Sequence, residues 1–143
     1  MRFSHWSGIA LSSVAIGLLV ASCGPSKVAQ CNKLSEVVNK AATEAQQLGK
    51  SSSNRLDDLN KAADSLDGYA TELEAVKISD KKLQDFQARF VKMYRDTGKA
   101  SRALVEAAKR RDRDAGQKAL QELQQATGQE SNLVRDINDY CRS

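Results

Sequence analysis

The sequence predicts an all-α protein, an up-down-up-down antiparallel four-helix bundle tied by one disulfide. The first observation is that Pro25 is the only proline among 143 residues. The chain after it is rich in Ala, Leu, Gln, Glu, Lys and Arg, which have high helix propensities. The second is that apolar residues recur at intervals of three and four, which places one seam along each helix. The third is that Cys31 and Cys141 bracket the helical region.

The first two helices are predicted on either side of a turn. The first seam consists of Cys31, Leu34, Val38, Ala41, Ala45 and Leu48. Gly49 offers a C-terminal stop, and residues 51–54 form a turn cluster rich in N-cap residues. The second seam consists of Leu56, Leu59, Ala63, Leu66, Ala70 and Leu73. Both seams keep the spacing of an amphipathic helix.

The third and fourth helices are also predicted from caps and seams. Ser79 or Asp80 caps the third helix, whose seam consists of Leu83, Phe86, Phe90, Met93, Thr97, Ala100, Leu104 and Ala107. A break over residues 112–116 follows, with Asp112 or Asp114 as the next cap. The fourth seam is less regular and consists of Leu120, Leu123, Ala126 or Thr127, Glu130, Leu133 or Val134, Ile137 and Cys141. An acid at Glu130 requires a charged partner or a half-exposed position.

Two alternatives bear on this architecture. One is a long helical hairpin that oligomerises as a coiled coil, and the turn signals near residues 49–54 and 112–116 argue against it.

The other concerns the pairing of the cysteines. An even number of antiparallel helices places Cys31 and Cys141 at the same end, which predicts a disulfide between them. Two unpaired buried thiols, or a redox pair without the Cys-x-x-Cys spacing, are the alternatives.

Residues 1–22 have the layout of a secretory signal peptide. Arg2 precedes an apolar run over residues 8–20, which is short for a transmembrane helix. The following Val20-Ala21-Ser22-Cys23 resembles the lipobox of bacterial lipoproteins. The resemblance implies cleavage before Cys23 and acylation of that residue, which would anchor the protein to a membrane. A secreted protein cut near Ser22 and an uncleaved N-terminal anchor are the alternatives.

The resemblance also implies a location and a domain division. We expect an extracytoplasmic, lipid-anchored protein of the bacterial cell envelope, facing the periplasm. Gly24 is not the Asp that retains some lipoproteins at the inner membrane, so the analogy slightly favours the outer membrane. The expected divisions are a signal peptide over 1–22, a lipidated tether over 23–30 and a four-helix domain over 31–143.

The mature chain lacks the residues of much catalytic chemistry. The only His and the only Trp, His5 and Trp6, lie in the signal peptide. Without imidazole, Ser-His-Asp and Cys-His catalysis, His-ligated haem and Glu-x-x-His di-iron sites are excluded. We therefore expect no enzyme, no catalytic residue, no metal and no cofactor; a site built from carboxylates, Lys or Tyr is the remaining enzymatic alternative. Removing residues 1–22 leaves a net charge of +3, without the dense basic stripe of a nucleic-acid binder.

Two groups of cations are candidate interaction sites. The run of Lys109, Arg110, Arg111 and Arg113 falls in the connection between the third and fourth helices, far from the anchor. It is a candidate surface for an acidic protein, an anionic wall polymer or a facing membrane, or else a solvated turn favoured by the helix dipole. The other group maps near the anchor and consists of Lys27, Lys77, Lys81, Lys82 and Arg142. It is either membrane-facing or ordinary surface charge.

These observations favour a non-enzymatic interaction or accessory module at the membrane surface, with a protein partner in the envelope. The alternative is a carrier or sensor that binds a small apolar ligand between the helices around Phe86, Phe90 and Met93. Core packing is the other explanation for those three residues, because they follow helical spacing. Tyr94 lies beside this seam and is expected at an interface or at the surface.

Overall fold

The computed structural model describes residues 25–48 and 55–143, and within these residues every regular element is a helix. The five helices are α1 (Lys27–Leu48), α2 (Arg55–Ala75), α3 (Lys81–Arg110), α4 (Arg113–Thr127) and α5 (Glu130–Arg142). The prediction of an all-helical bundle is confirmed. The signal peptide, the lipobox with Cys23, and the turn over 49–54 lie outside the described residues.

Helix α1 begins earlier than the sequence predicted. Its first turn is capped by Ser26, whose hydroxyl accepts a hydrogen bond from the Ala29 N–H at 3.2 Å. The Ser26 carbonyl also accepts from the Gln30 N–H at 3.0 Å. Ser26 thereby satisfies donors that a helix start otherwise leaves free. Residues 27–30 are therefore helical.

The predicted fourth helix is divided into α4 and α5. Gly128 ends α4, and its N–H donates to the Gln124 carbonyl at 2.9 Å. A Cβ atom on Gly128 would also lie 2.9 Å from that carbonyl oxygen, so a side chain does not fit this turn. Glu130 is the exposed first residue of α5, where the helix dipole favours an acid. Glu130 thus lies outside the buried seam, whereas the predicted place of Leu120 on that seam is wrong, because Leu120 is 45% exposed.

The core surrounds α3, which contacts each of the other four helices. Most of its predicted seam is buried, including Leu83, Phe86, Phe90 and Met93. A second buried row on α3 consists of Val91, Tyr94, Gly98, Ser101 and Val105. The sequence did not predict this row because three of its members are polar or lack a large apolar side chain. Helix α3 is therefore buried on more than the single face assumed for a symmetrical bundle.

Side-chain caps define the connections on both sides of α3. Asp80 accepts hydrogen bonds from the Lys82 and Leu83 N–H groups at the start of α3. Asp112 does the same for the Ala115 N–H at the start of α4. Both residues were among the predicted N-caps, and the structure selects them over Ser79 and Asp114. These caps fix the points at which the α2–α3 and α3–α4 connections end and the next helix begins.

Candidate interaction surfaces

The beginning of α1, the end of α5 and the α2–α3 connection meet at one end of the bundle, which we call the terminal end. Cys31 in α1 and Cys141 in α5 form a disulfide with their Cα atoms 5.9 Å apart. The predicted pairing is confirmed. It links residues separated by 110 positions, so it closes most of the described chain into one loop. The terminal end is therefore held together covalently.

Gln30 fastens α1 to the α2–α3 connection. Its side chain is only 3% exposed, and its Oε1 accepts from the Ser79 N–H at 2.7 Å and the Asp80 N–H at 3.1 Å. Its Nε2 donates to the Pro25 carbonyl at 2.7 Å. One side chain thus satisfies three backbone groups near the surface of the bundle. The seam pattern gave no signal for this role, because a polar residue before Cys31 is expected outside the core.

Tyr140 joins α5 to the same region. Its hydroxyl donates to Asp80 at 2.8 Å, and its ring lies 6.0 Å from the Phe86 ring, centroid to centroid. The backbone N–H of Leu83 and the Tyr140 hydroxyl hold the pKa of Asp80 below its usual range. Lys27 lies over the Tyr140 ring, with its Nζ 4.1 Å from the centroid. These contacts place the starts of α1 and α3 beside the end of α5.

The five cations proposed as membrane-facing all belong to the terminal end. They are Lys27 and Arg142 at the ends of α1 and α5, Lys77 in the α2–α3 connection, and Lys81 and Lys82 in the first turn of α3. All but the half-buried Lys27 are exposed. Within residues 25–48 and 55–143, none of the five forms an ion pair with an acid within 4.0 Å.

The basic turn, residues 109–113, lies at the other end of α3. The 30 residues of that helix separate it from the terminal end by about 45 Å. Lys109 pairs with Glu106 at 3.2 Å, whereas the exposed Arg110, Arg111 and Arg113 have no ion pair within the described part of the chain. Arg111 has φ 56° and ψ 31°, a left-handed conformation. Its N–H donates to the Ala108 carbonyl at 3.1 Å, which closes the end of α3.

A polar contact between α1 and α2 was not predicted. Glu44 accepts hydrogen bonds from the Ser65 hydroxyl and the Tyr69 hydroxyl, each at 2.5 Å. These two donors lower the pKa of Glu44, and the carboxylate raises the pKa of Tyr69. Glu44 also lines an open groove of about 810 Å³ with Lys40 and other residues of α1. Ala45, which the seam pattern placed toward the core, is exposed instead.

The aromatic group on α3 fills the core. Phe86 and Phe90 are 1% and 0% exposed, whereas Met93 lies at the edge of a small groove. Tyr94, which was expected at an interface or at the surface, is buried in the core, and its ring lies 6.1 Å from that of Phe90. This burial raises the pKa of Tyr94.

Residues 25–48 and 55–143 contain no group of three or more His, Cys, Asp or Glu side chains placed to hold a metal ion. None of the five helices combines the length and apolar character needed to span a bilayer. Comparison of the chain with protein-family models, curated proteins and solved structures found no match.

Proposed function

We propose that this chain is a non-enzymatic, lipid-anchored protein of the bacterial cell envelope whose helical bundle serves as an interaction or accessory module. The observation that carries the proposal is the Cys31–Cys141 disulfide at the terminal end. Structural disulfides persist in oxidising compartments outside the cytoplasm. This agrees with export through the predicted signal peptide and acylation of Cys23.

The topology is part of the proposal: α1, α2, α3 and the α4–α5 pair alternate in direction. Ion pairs between α2 and α3 support it, because Glu74 pairs with Arg95 whereas Asp67, earlier in α2, pairs with Arg102, later in α3. The disulfide supports it as well, since an even number of antiparallel segments brings the two chain ends together. In this topology the lipid anchor and the basic turn lie at opposite ends.

The basic turn is the proposed partner-binding surface. Its three unpaired arginines are exposed at the point of the bundle farthest from the anchor. Arginine is favoured at such surfaces because its planar guanidinium forms two parallel hydrogen bonds with a carboxylate. The expected partner is therefore an acidic surface of another envelope protein. The alternative carrier function has less support, because Phe86 and Phe90 pack in the core.

In-cell crosslinking followed by mass spectrometry tests the proposal. The natively expressed protein is compared with Cys23→Ala, which removes the predicted acylation site. We expect the wild type to be acylated and to crosslink to one dominant envelope protein, and Cys23→Ala to lose both properties. Unchanged acyl labelling of Cys23→Ala would contradict the assignment of Cys23 as the acylated residue.

A matched pair of variants tests the surface. Arg110→Gln/Arg111→Gln/Arg113→Gln removes three exposed charges from the basic turn. Lys61→Gln/Lys99→Gln/Lys118→Gln removes the same charge from exposed positions on α2, α3 and α4. We expect the first variant alone to lose the crosslinked partner. Equal loss in both variants would contradict a specific role for the basic turn.

A further inference from the structure

We infer that the terminal end is a docking face for an anionic lipid bilayer, which holds the bundle upright with the basic turn directed away from the membrane. The inference rests on the proposed function, because it takes Cys23 as the site of acylation. Beyond the proposed function, the inference specifies the surface that contacts the bilayer, the type of contact and the orientation of the bundle.

The charge of this face is not balanced within the protein. Several cations elsewhere on the helices are paired, as Lys40 is with Glu72 at 3.1 Å and Arg95 is with Glu74 at 2.7 Å, and Lys61, Lys99 and Lys118, which are unpaired within the described residues, lie on three different helices. The five cations of the terminal end have no such ion pair within the described residues. Asp80 lies among them, but it already accepts from two N–H groups and from Tyr140. With Asp80, Glu74 in the last turn of α2 and Asp139 in the last turn of α5 all counted as ionised, the five cations still leave the face positive.

Apolar surface accompanies these cations. Val28 is 59% exposed and is one of the two exposed large apolar side chains in the described residues, the other being Leu120 on α4. A groove of about 610 Å³ beside the chain start is lined in part by Pro25, Val76, Ile78 and Lys77. Apolar side chains next to unpaired lysines are typical of surfaces that rest at the boundary between head groups and acyl chains. An acidic protein partner would not require the apolar component.

The distance to the anchor favours the same occupant. Helix α1 begins at Lys27, four positions after Cys23. Fully extended, this segment spans about 13 Å. Screening by salt extends over about 8–10 Å near physiological ionic strength, so the cations experience the field of an anionic bilayer whenever this segment is shorter than its full extension. An anionic lipid surface is therefore the partner closest to this face once Cys23 is acylated.

The orientation follows from the position of α3. This helix begins with Lys81 and Lys82 at the terminal end and carries the basic turn about 45 Å farther along. When the terminal end rests on the bilayer, the basic turn projects into the surrounding compartment. A bundle lying on its side would instead bring lysines from the middle of the helices, such as Lys61 and Lys99, to the lipid.

Lysine footprinting of the acylated protein tests this inference. The protein is reconstituted into nanodiscs of phosphatidylcholine alone or of phosphatidylcholine with phosphatidylglycerol, and acetylation of each lysine is followed by mass spectrometry. In the anionic discs we expect acetylation of Lys77, Lys81 and Lys82 to slow by about threefold or more. The rates at Lys61, Lys99 and Lys118 should not change. The protection should disappear at about 1 M salt, where screening shortens to about 3 Å.

A pair of charge-matched variants provides the control, with Lys27 as the reporter. Lys77→Gln/Lys81→Gln/Lys82→Gln should abolish the lipid-dependent protection of Lys27. Lys61→Gln/Lys99→Gln/Lys118→Gln removes the same charge and should preserve it. Circular dichroism of both variants establishes that the helices are retained.

Each outcome decides the inference. Equal rates in the two kinds of disc overturn it, as does protection of Lys61 and Lys99, which indicates a bundle lying flat. Protection in native membranes but not in anionic discs overturns it in favour of an acidic protein partner. Intact mass reports the acylation of Cys23 separately. If no acyl chain is present, the proposed function fails, and flotation with anionic but not neutral vesicles would still support the docking face, whereas flotation with neither overturns it.

Discussion

The carbonyl oxygen of Ala63 on α2 lies so close to Gly98 on α3 that a Cβ atom added to Gly98 would be 3.2 Å from it. The same Cβ atom would lie 3.4 Å from Asp67 Oδ1 and 3.5 Å from Arg102 Nη1. Ala63 is fully buried, so its backbone has little room to move away. Gly98 therefore permits the two helices to approach closely and leaves room for the Arg102–Asp67 ion pair.

Alanine substitution at the two helical glycines should have opposite effects. A glycine inside a helix costs about 1 kcal/mol relative to alanine. No atom lies within 4 Å of a Cβ added to Gly68, so Gly68→Ala should raise the free energy of unfolding by up to about 1 kcal/mol. Gly98→Ala should lower it by about 1 kcal/mol, because the contact outweighs the gain in propensity. Urea unfolding of both variants measures the difference, and equal stabilisation would contradict the close contact.

Breaking the disulfide should lower stability without abolishing the helices. The loop closed by Cys31 and Cys141 spans 110 positions. In the chain-entropy model such a loop contributes about 4–5 kcal/mol, and often less in practice. We expect reduction or Cys141→Ser to lower the melting temperature while helicity at low temperature is retained. Circular dichroism melts with and without reductant test this, and Cys141→Ser should be insensitive to reductant. An unchanged melting temperature would argue that the bridge contributes nothing.

The Glu44 contact should make stability depend on pH. Hydrogen bonds from Ser65 and Tyr69 lower the pKa of Glu44 below the ordinary value of 4.5. The contribution is therefore fully present above pH 4.5 and is lost as the pH falls through the lower pKa of the folded state. Glu44→Gln should cost about 1 kcal/mol at neutral pH, with the partial exposure of the site taken into account.

Urea unfolding at neutral and acidic pH measures this dependence. The stability difference between the wild type and Glu44→Gln should narrow as the pH falls. Glu122→Gln is the control, because it removes one carboxylate from α4, away from the contact between α1 and α2. A difference that stays constant with pH would contradict the assigned role of Glu44.

The conformation of Arg111 predicts a stabilising substitution. Its left-handed backbone, at φ 56°, disfavours residues that carry a Cβ atom, and helix ends of this kind commonly use glycine. Arg111→Gly should therefore raise the free energy of unfolding by about 0.5–1 kcal/mol. Arg110→Gly, one position earlier and still helical, should lower it by up to about 1 kcal/mol. Calorimetric melts compare the two, and destabilisation by both would contradict the argument.

The same substitution separates stability from binding. If Arg111 contacts the partner of the basic turn, Arg111→Gly should reduce crosslinking to that partner even as it stabilises the fold. A conformation that is unfavourable for arginine would then be retained for the side chain it presents. Retained crosslinking in Arg111→Gly would restrict the contact to Arg110 and Arg113.

Local sequence signals predicted the helices well where each depends on its own residues. The caps Asp80 and Asp112 were predicted because their carboxylates satisfy N–H groups two or three residues ahead. The pairing of Cys31 with Cys141 was predicted from chain direction together with the expected oxidising compartment. Helix α1 begins earlier than the sequence predicts because Ser26 caps its first turn. The break after Gly128 is not predicted because the apolar spacing of the fourth seam continues across it, from Ala126 to Leu133.

The interaction surfaces were predicted as groups of residues but not as arrangements. The five cations near the chain ends were placed together from topology, yet the sequence did not indicate that they lack ion-pair partners in the described residues. Nor did it predict the roles of Gln30 and Tyr140, which join helices that are distant in sequence. Such contacts depend on the rotation of each helix about its axis, which a seam pattern defines only approximately.

By itself, the sequence determined the helical class and the lack of imidazole after His5, because these follow from composition and local spacing, and it predicted the bonded cysteines from the expected chain direction. Only the tertiary structure decided that α3 is the central helix, that Tyr94 and Gly98 are buried, and that Glu44 binds Ser65 and Tyr69. The physical reason is that burial on a second face depends on which neighbours surround a helix. Small and polar residues can be buried on that face, but they do not appear in a pattern of large apolar residues, so the sequence does not predict their burial.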